Sequence, residues 1–201
     1  MLGRGAYANR LGRSLILPMP PAQLQSLLQQ AVAHHTAGRL DVADQYYRQV
    51  RAAVPANFDA LHLSGLVAFQ QGRYRESAEL LRRALKRNPA SAVCEMRLGL
   101  ACRALGELVA SERHLRVAIE REPGLPEAWC NYAITLGALG RAVEARGAYE
   151  RAIALKPDYA EAHDRLGALA CQTDGFAAAV PHFRRAAELE PNNATAWANL
   201  G

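Results

Sequence analysis

PEAWCNYAITLGALGRAVEARGAYERAIALKPDY, residues 126–159, carries the pattern that decides the fold. EAWCNYAITLGALG reads as one helix and ARGAYERAIALKP as the end of a second. Gly140, near the middle, permits a tight turn, because glycine enters the left-handed backbone region without steric cost. Pro157 closes the second helix, since it cannot donate the next backbone hydrogen bond.

The same pattern recurs along the chain with a step of 34 residues. Pro55, Pro89, Pro123, Pro157 and Pro191 keep that step, as do Gly38, Gly72, Gly106 and Gly140. A small residue repeats at Ala31, Gly65, Gly99, Ala133, Gly167 and Gly201, and another column runs Val50, Ala84, Ala118, Ala152, Ala186. The units are therefore 24–57, 58–91, 92–125, 126–159 and 160–193, with a partial sixth over 194–201. The small residues at positions 8 and 27 of a unit let antiparallel helices approach closely. Position 24 supplies the bulk: Tyr47, Leu81, Leu115, Tyr149 and Phe183.

In the fourth unit, Trp129, Tyr132, Ala133, Gly140, Ala145, Tyr149, Ala152 and Pro157 stand where the tetratricopeptide repeat (TPR) family has its signature residues. The chain resembles that family over residues 24–201. The resemblance implies an all-α, right-handed superhelix of helix-turn-helix pairs whose first helices line a concave groove. It specifies the fold sharply and the function weakly, because the family is a scaffold with many partners. Two units depart from the pattern. The fifth has Asp174 at the turn position with Gly175 one step late, and it places Pro181 inside its second helix. An interior proline costs up to about 3 kcal/mol, less near the first turn, so a kink or a shortened first turn is expected. The first unit is the most degenerate, with Gln30 and His34 at packing positions, which suits an end repeat.

Composition narrows the function classes. Half of the 201 residues are hydrophobic, which excludes a disordered chain, and aromatics are only 6%. The net charge of +5 comes almost wholly from arginine, since Lys86 and Lys156 are the only lysines; it is compatible with an acidic partner. Cys94, Cys102, Cys130 and Cys171 form no CxxC pair, so neither a zinc site nor a redox motif is expected, and all four read as small buried thiols. Residues 1–21, MLGRGAYANRLGRSLILPMPP, hold three arginines and no acid and are expected to be a disordered basic tail before an array over 22–201. The apolar run LILPM is too short for a signal peptide, and no run approaches the roughly 20 apolar residues of a membrane span. A cytoplasmic, bacterial protein is expected.

No P-loop, GxGxxG, HExxH or GxSxG occurs, so no enzyme activity, cofactor or metal is expected of this segment. His34 and His35 are adjacent and point about 100° apart on a helix, which does not make a ligand pair. His163 stands where Trp129 stands one unit earlier, so a packing role is its default.

The family resemblance places His62, Leu66, Phe69, Met96, Arg97, Leu100, Arg103, Asn131, Ile134, Asp164 and Arg165 on the groove. An arginine cluster in units three to five suits carboxylates and backbone carbonyls, so the expected ligand is an extended protein or peptide segment of acidic character. The chaperone-tail clamp of some family members is rejected: of its five positions only Asn131 and Arg165 match, and Glu161 has the wrong sign. A partial asparagine ladder at position 6, with Asn131 and Asn199, resembles the arm of O-GlcNAc transferases. The wording of ALHLSGLVAFQQGRYRESAELLRRAL and LKPDYAEAH is also similar to bacterial relatives of those enzymes, or to arms preceding sulfotransferase domains. That resemblance implies the alternative: a substrate-recruiting arm whose catalytic domain lies beyond residue 201. On the second helices Arg48, Arg82, Arg83, Arg116, Arg151, Arg184 and Arg185 form a basic ridge, interleaved with Glu79, Glu112, Glu150 and Glu188. Nucleic acid is not the expected partner, because no aromatics are interleaved for base stacking. ATAWANLG, residues 194–201, aligns Trp197 with Trp129 and stops within a first helix. The expectation is a piece of a longer protein, or an uncapped edge that self-associates.

Overall fold

The computed structural model describes residues 19–200, so residues 1–18 of the expected tail lie outside the described residues. Among the described residues there are eleven helices and no strand. They are α1 (Pro21–Thr36), α2 (Leu40–Ala53), α3 (Phe58–Gln70), α4 (Tyr74–Leu85), α5 (Ala92–Ala104), α6 (Leu108–Arg121), α7 (Pro126–Ala138), α8 (Ala142–Leu155), α9 (Ala160–Thr173), α10 (Phe176–Leu189) and the short α11 (Ala194–Ala198). The helices form the pairs α1–α2, α3–α4, α5–α6, α7–α8 and α9–α10, and their second helices start 34 residues apart.

In the first four pairs the turn between helices is a glycine closure. Gly38, Gly72, Gly106 and Gly140 have φ of 73°, 75°, 79° and 76°. The residue after each glycine donates its N–H to a carbonyl five residues back, as in Arg73 to Ala68 at 2.8 Å and Glu107 to Cys102 at 2.9 Å. The left-handed residue thereby satisfies the orphan carbonyls of the ending helix. The fifth unit differs as its displaced glycine predicts. Helix α9 runs on to Thr173, and Gly175, at φ 91°, becomes the residue before α10. Helix α10 runs from Phe176 to Leu189 with Pro181 inside it, so the proline does not end the helix. Pro181 is the sixth residue of α10, so its missing N–H removes one rung of the backbone ladder, to the Ala177 carbonyl.

The core is a repeated contact between position 8 and position 24. A Cβ built on Gly65 would lie 2.8 Å from Leu81 Cγ, on Gly99 2.7 Å from Leu115 Cγ, and on Gly167 2.8 Å from Phe183. Leu81, Leu115, Tyr47, Tyr149 and Phe183 are all buried, as are the small residues of position 27. Cys94, Cys102 and Cys130 join this core, and burial pushes the Cys94 and Cys130 thiols up to about 12. Cys171 does not join it: it is exposed, contrary to expectation, because its place at position 12 of α9 turns it away from α10.

Helix α3 touches α5, α5 touches α7 and α7 touches α9, whereas the second helices stand further apart. The first helices therefore occupy the inner side of a curved stack. Gly99→Ala should lower stability by about 1–3 kcal/mol, because the added methyl drives into Leu115. Gly147→Ala, in the middle of α8 with nothing within 4 Å, should raise it by about 0.5–1 kcal/mol. Urea denaturation followed by circular dichroism reads both; equal effects would mean that the close contact does not control packing.

Candidate peptide-binding groove

The groove is built by the faces of α3, α5, α7 and α9 that point away from their own second helices. Position 9 supplies its apolar floor: Leu66, Leu100 and Ile134 are half-buried, and Val32 is exposed. Phe69 and Met96, also expected there, are held by packing. Phe69 rests on the Tyr74 ring at 5.2 Å, and Met96 packs on the cluster of Ala118, Ile119 and Ala128.

Two arginines stand deep in this surface. Arg97 Nη1 donates to His62 Nε2 at 2.9 Å, across from α5 to α3. Arginine has no acceptor, so Nε2 must offer its lone pair and the neutral ring carries its proton on Nδ1. Burial, helped by the Arg97 charge, lowers His62 to about 4. On the other side of α5, Arg103 Nη2 donates to Asn131 Oδ1 at 3.0 Å and Nη1 to the Asn131 carbonyl at 3.3 Å. Asn131 Nδ2 in turn donates to the Glu127 carbonyl at 2.8 Å, which fixes the amide. Burial pulls both guanidinium groups below their ordinary range. Among the described residues no carboxylate oxygen comes within 4.0 Å of either; Glu161 acts on Arg103 from farther off.

The expected arginine cluster thus divides. Arg165 is 52% exposed and lies 3.9 Å from Glu161, so it is solvated and partly neutralised. Asp164 accepts from Asn199 Nδ2 at 2.7 Å. On the outer ridge most arginines have acidic neighbours, as in Arg48 with Asp44 at 2.9 Å and Arg185 with Glu188 at 3.3 Å.

Position 4 holds polar groups that the sequence reading did not assign. Trp129 and Trp197 each donate the indole N–H at 2.9 Å to the carbonyl of Pro123 and Pro191, respectively. His163 makes the same bond from Nε2 to the Pro157 carbonyl at 3.2 Å, so it replaces tryptophan in hydrogen bonding as well as in packing. In unit three the position is Glu95, buried, accepting from His114 Nδ1 at 2.8 Å and Arg121 Nη1 at 2.9 Å. A glutamate where its neighbours carry rings was the available signal. Among the described residues no group of three or more His, Cys, Asp or Glu could hold a metal, and no helix is long and apolar enough to cross a membrane.

Models of the tetratricopeptide repeat match residues 28–92, 62–126 and 126–159, more than half of the chain. The chain belongs to the tetratricopeptide repeat family. Solved TPR structures overlay most of it. A crystal structure of MamA is 25% identical, with 82% of this chain and 96% of that one covered at a TM-score of 0.70. TTC0263, a thermophilic TPR protein of Thermus thermophilus, is 20% identical, covering 88% and 96% at 0.74. YrrB, described as a TPR protein with an unusual peptide-binding site, is 18% identical, covering 86% and 89% at 0.67. At those identities TTC0263 and YrrB speak for the fold alone. No curated protein matches the sequence.

The His62–Arg97 pair has a pH signature. The folded value, about 4, lies below the ordinary 6.5, so as pH falls from 6.5 the unfolded chain takes up the proton first. Stability from this group is whole above pH 6.5 and is lost as pH falls toward 4. His62→Gln keeps an acceptor for Arg97 and should flatten the stability–pH profile in that window; an unchanged slope would place the titration elsewhere.

Proposed function

We propose that the concave groove binds an extended, acidic segment of a partner protein, with carboxylates seated on Arg97 and Arg103 and apolar side chains on Leu66, Leu100 and Ile134. The observation that carries this reading is the state of the two guanidinium groups. Each is half-buried and, among the described residues, is bonded to neutral partners, His62 or Asn131. Withdrawing a charge from water costs several kcal/mol, which neutral hydrogen bonds offset only in part. A carboxylate arriving from a ligand would form charge-assisted bonds in a poorly screened site. Arg97 leans toward α3 and Arg103 toward α7, so they mark two separate acidic positions. Arg165, already beside Glu161, contributes less.

The chain acts by binding and not by chemistry. Its four unpaired cysteines fit a reducing compartment such as the cytoplasm. The glycosyltransferase-arm alternative gains no support, since the ladder asparagines Asn131 and Asn199 are already engaged by Arg103 and Asp164.

Fluorescence anisotropy with labelled hexaglutamate tests the groove. Arg97→Gln with Arg103→Gln should weaken binding about tenfold or more. Arg82→Gln with Arg116→Gln, on the outer ridge, should change it less than about twofold. Equal losses would mean that binding follows net charge and not the groove.

A further inference from the structure

The units differ at position 4. Units four, five and six place Trp129, His163 and Trp197 there, each bonded to the preceding proline carbonyl. Unit three places Glu95 there, gripped by Arg121 from position 30 of the same unit. Unit two has neither a ring donor nor a carboxylate: its residue is Leu61, 1% exposed. The Pro55 carbonyl is reached instead by Arg83 Nη2, at 3.3 Å.

Beside Leu61 lies a cleft of about 260 Å³ lined by Pro55, Leu61, Arg83, Lys86 and Arg87. Arg87 is the position-30 counterpart of Arg121, so unit two repeats the cation of unit three without its carboxylate. Arg51 adds a further charge at the end of α2. Its Nε is buried without a hydrogen-bond partner among the described residues, and the carboxylate within its reach, Asp44, is at 3.9 Å. Burial lowers its pKa and the nearby Arg83 adds to that. Among the described residues no carboxylate comes within 4.0 Å of Arg83, Lys86 or Arg87, although Glu79 stands one turn before Arg83. Residues 1–18 hold no acid. A helix C-terminus such as that of α4 favours one or two cations by about 0.3–1 kcal/mol each, but gathering four sets them against one another.

We propose that this cleft is a second docking site, which takes a carboxylate side chain from an acidic segment of a partner protein against Arg83 and Arg87, beside the buried Leu61. The charge complementarity is the one unit three satisfies internally, with a carboxylate held by the position-30 arginine and a second donor. Arg87 and Arg83 supply those two donors in unit two, and Lys86 flanks them. Leu61 and Pro55 give an apolar floor for the methylenes of the incoming side chain. The lining contains no aromatic ring on which a nucleic-acid base could stack. The cleft shares no lining residue with the groove arginines Arg97 and Arg103; its cations stand at and just after the end of α4.

Leucine-methyl NMR of the full chain separates the two sites. Titration with unlabelled hexaglutamate should move the Leu61 methyls saturably. Lys86→Glu with Arg87→Glu, both exposed, should abolish that movement and weaken the local affinity about tenfold or more. Arg97→Gln with Arg103→Gln should leave it intact while removing shifts at Leu66 and Leu100. Unmoved Leu61 methyls in the wild type would overturn the proposal. So would equal shifts with inorganic phosphate or hexaadenylate, which would make the cleft a general polyanion contact.

Discussion

The stack depends on one contact made five times: a bulky side chain of the second helix closing on a position of the first where glycine or alanine stands. At Gly65, Gly99 and Gly167 the fit leaves no room for a methyl group. Close-packed interiors resist added volume, so this contact sets the distance between paired helices, and hence where the next pair must lie. The inner placement of α3, α5, α7 and α9 follows from repeating the same unit geometry.

Once the stack exists, the remaining variation concerns where polar groups find partners. Position 4 shows the range. A ring N–H ties one unit to the proline carbonyl of the unit before it in three cases, and a buried carboxylate is held by His114 and Arg121 in a fourth. Leu61 does neither, and the nearby arginines and lysine are left facing solvent around an open cleft. A repeat that keeps the cation of a pairing pattern and omits its carboxylate marks a place where a partner can supply one.

The groove follows the same logic with the sign of the surroundings reversed. Arg97 and Arg103 are sheltered from water and bonded to neutral groups, whereas Arg48, Arg116, Arg165 and Arg185 stand in solvent beside carboxylates. Screening makes these exposed pairs nearly neutral in energy. The inner pair keeps its charge where screening is weakest.

The sequence by itself determined the period, the helix pairs, the turn glycines and the small-against-large contact, because each depends on residues near one another in the chain or on a strict 34-residue step. It also marked the late glycine of unit five: α9 ends one residue later in its unit than the other first helices, while α10 starts in the common register, directly after Gly175. It placed Arg97, Arg103 and Arg165 in one cluster and could not rank them, since their burial depends on how far each unit is rotated against the next. Only the tertiary structure joined Arg97 to His62, 35 residues away, and Arg103 to Asn131, 28 away. It alone turned Cys171 outward and opened the cleft beside Leu61. Those outcomes rest on the distance and twist between helices of different units. Neither quantity is written in any single window of residues; both are fixed when the whole stack packs.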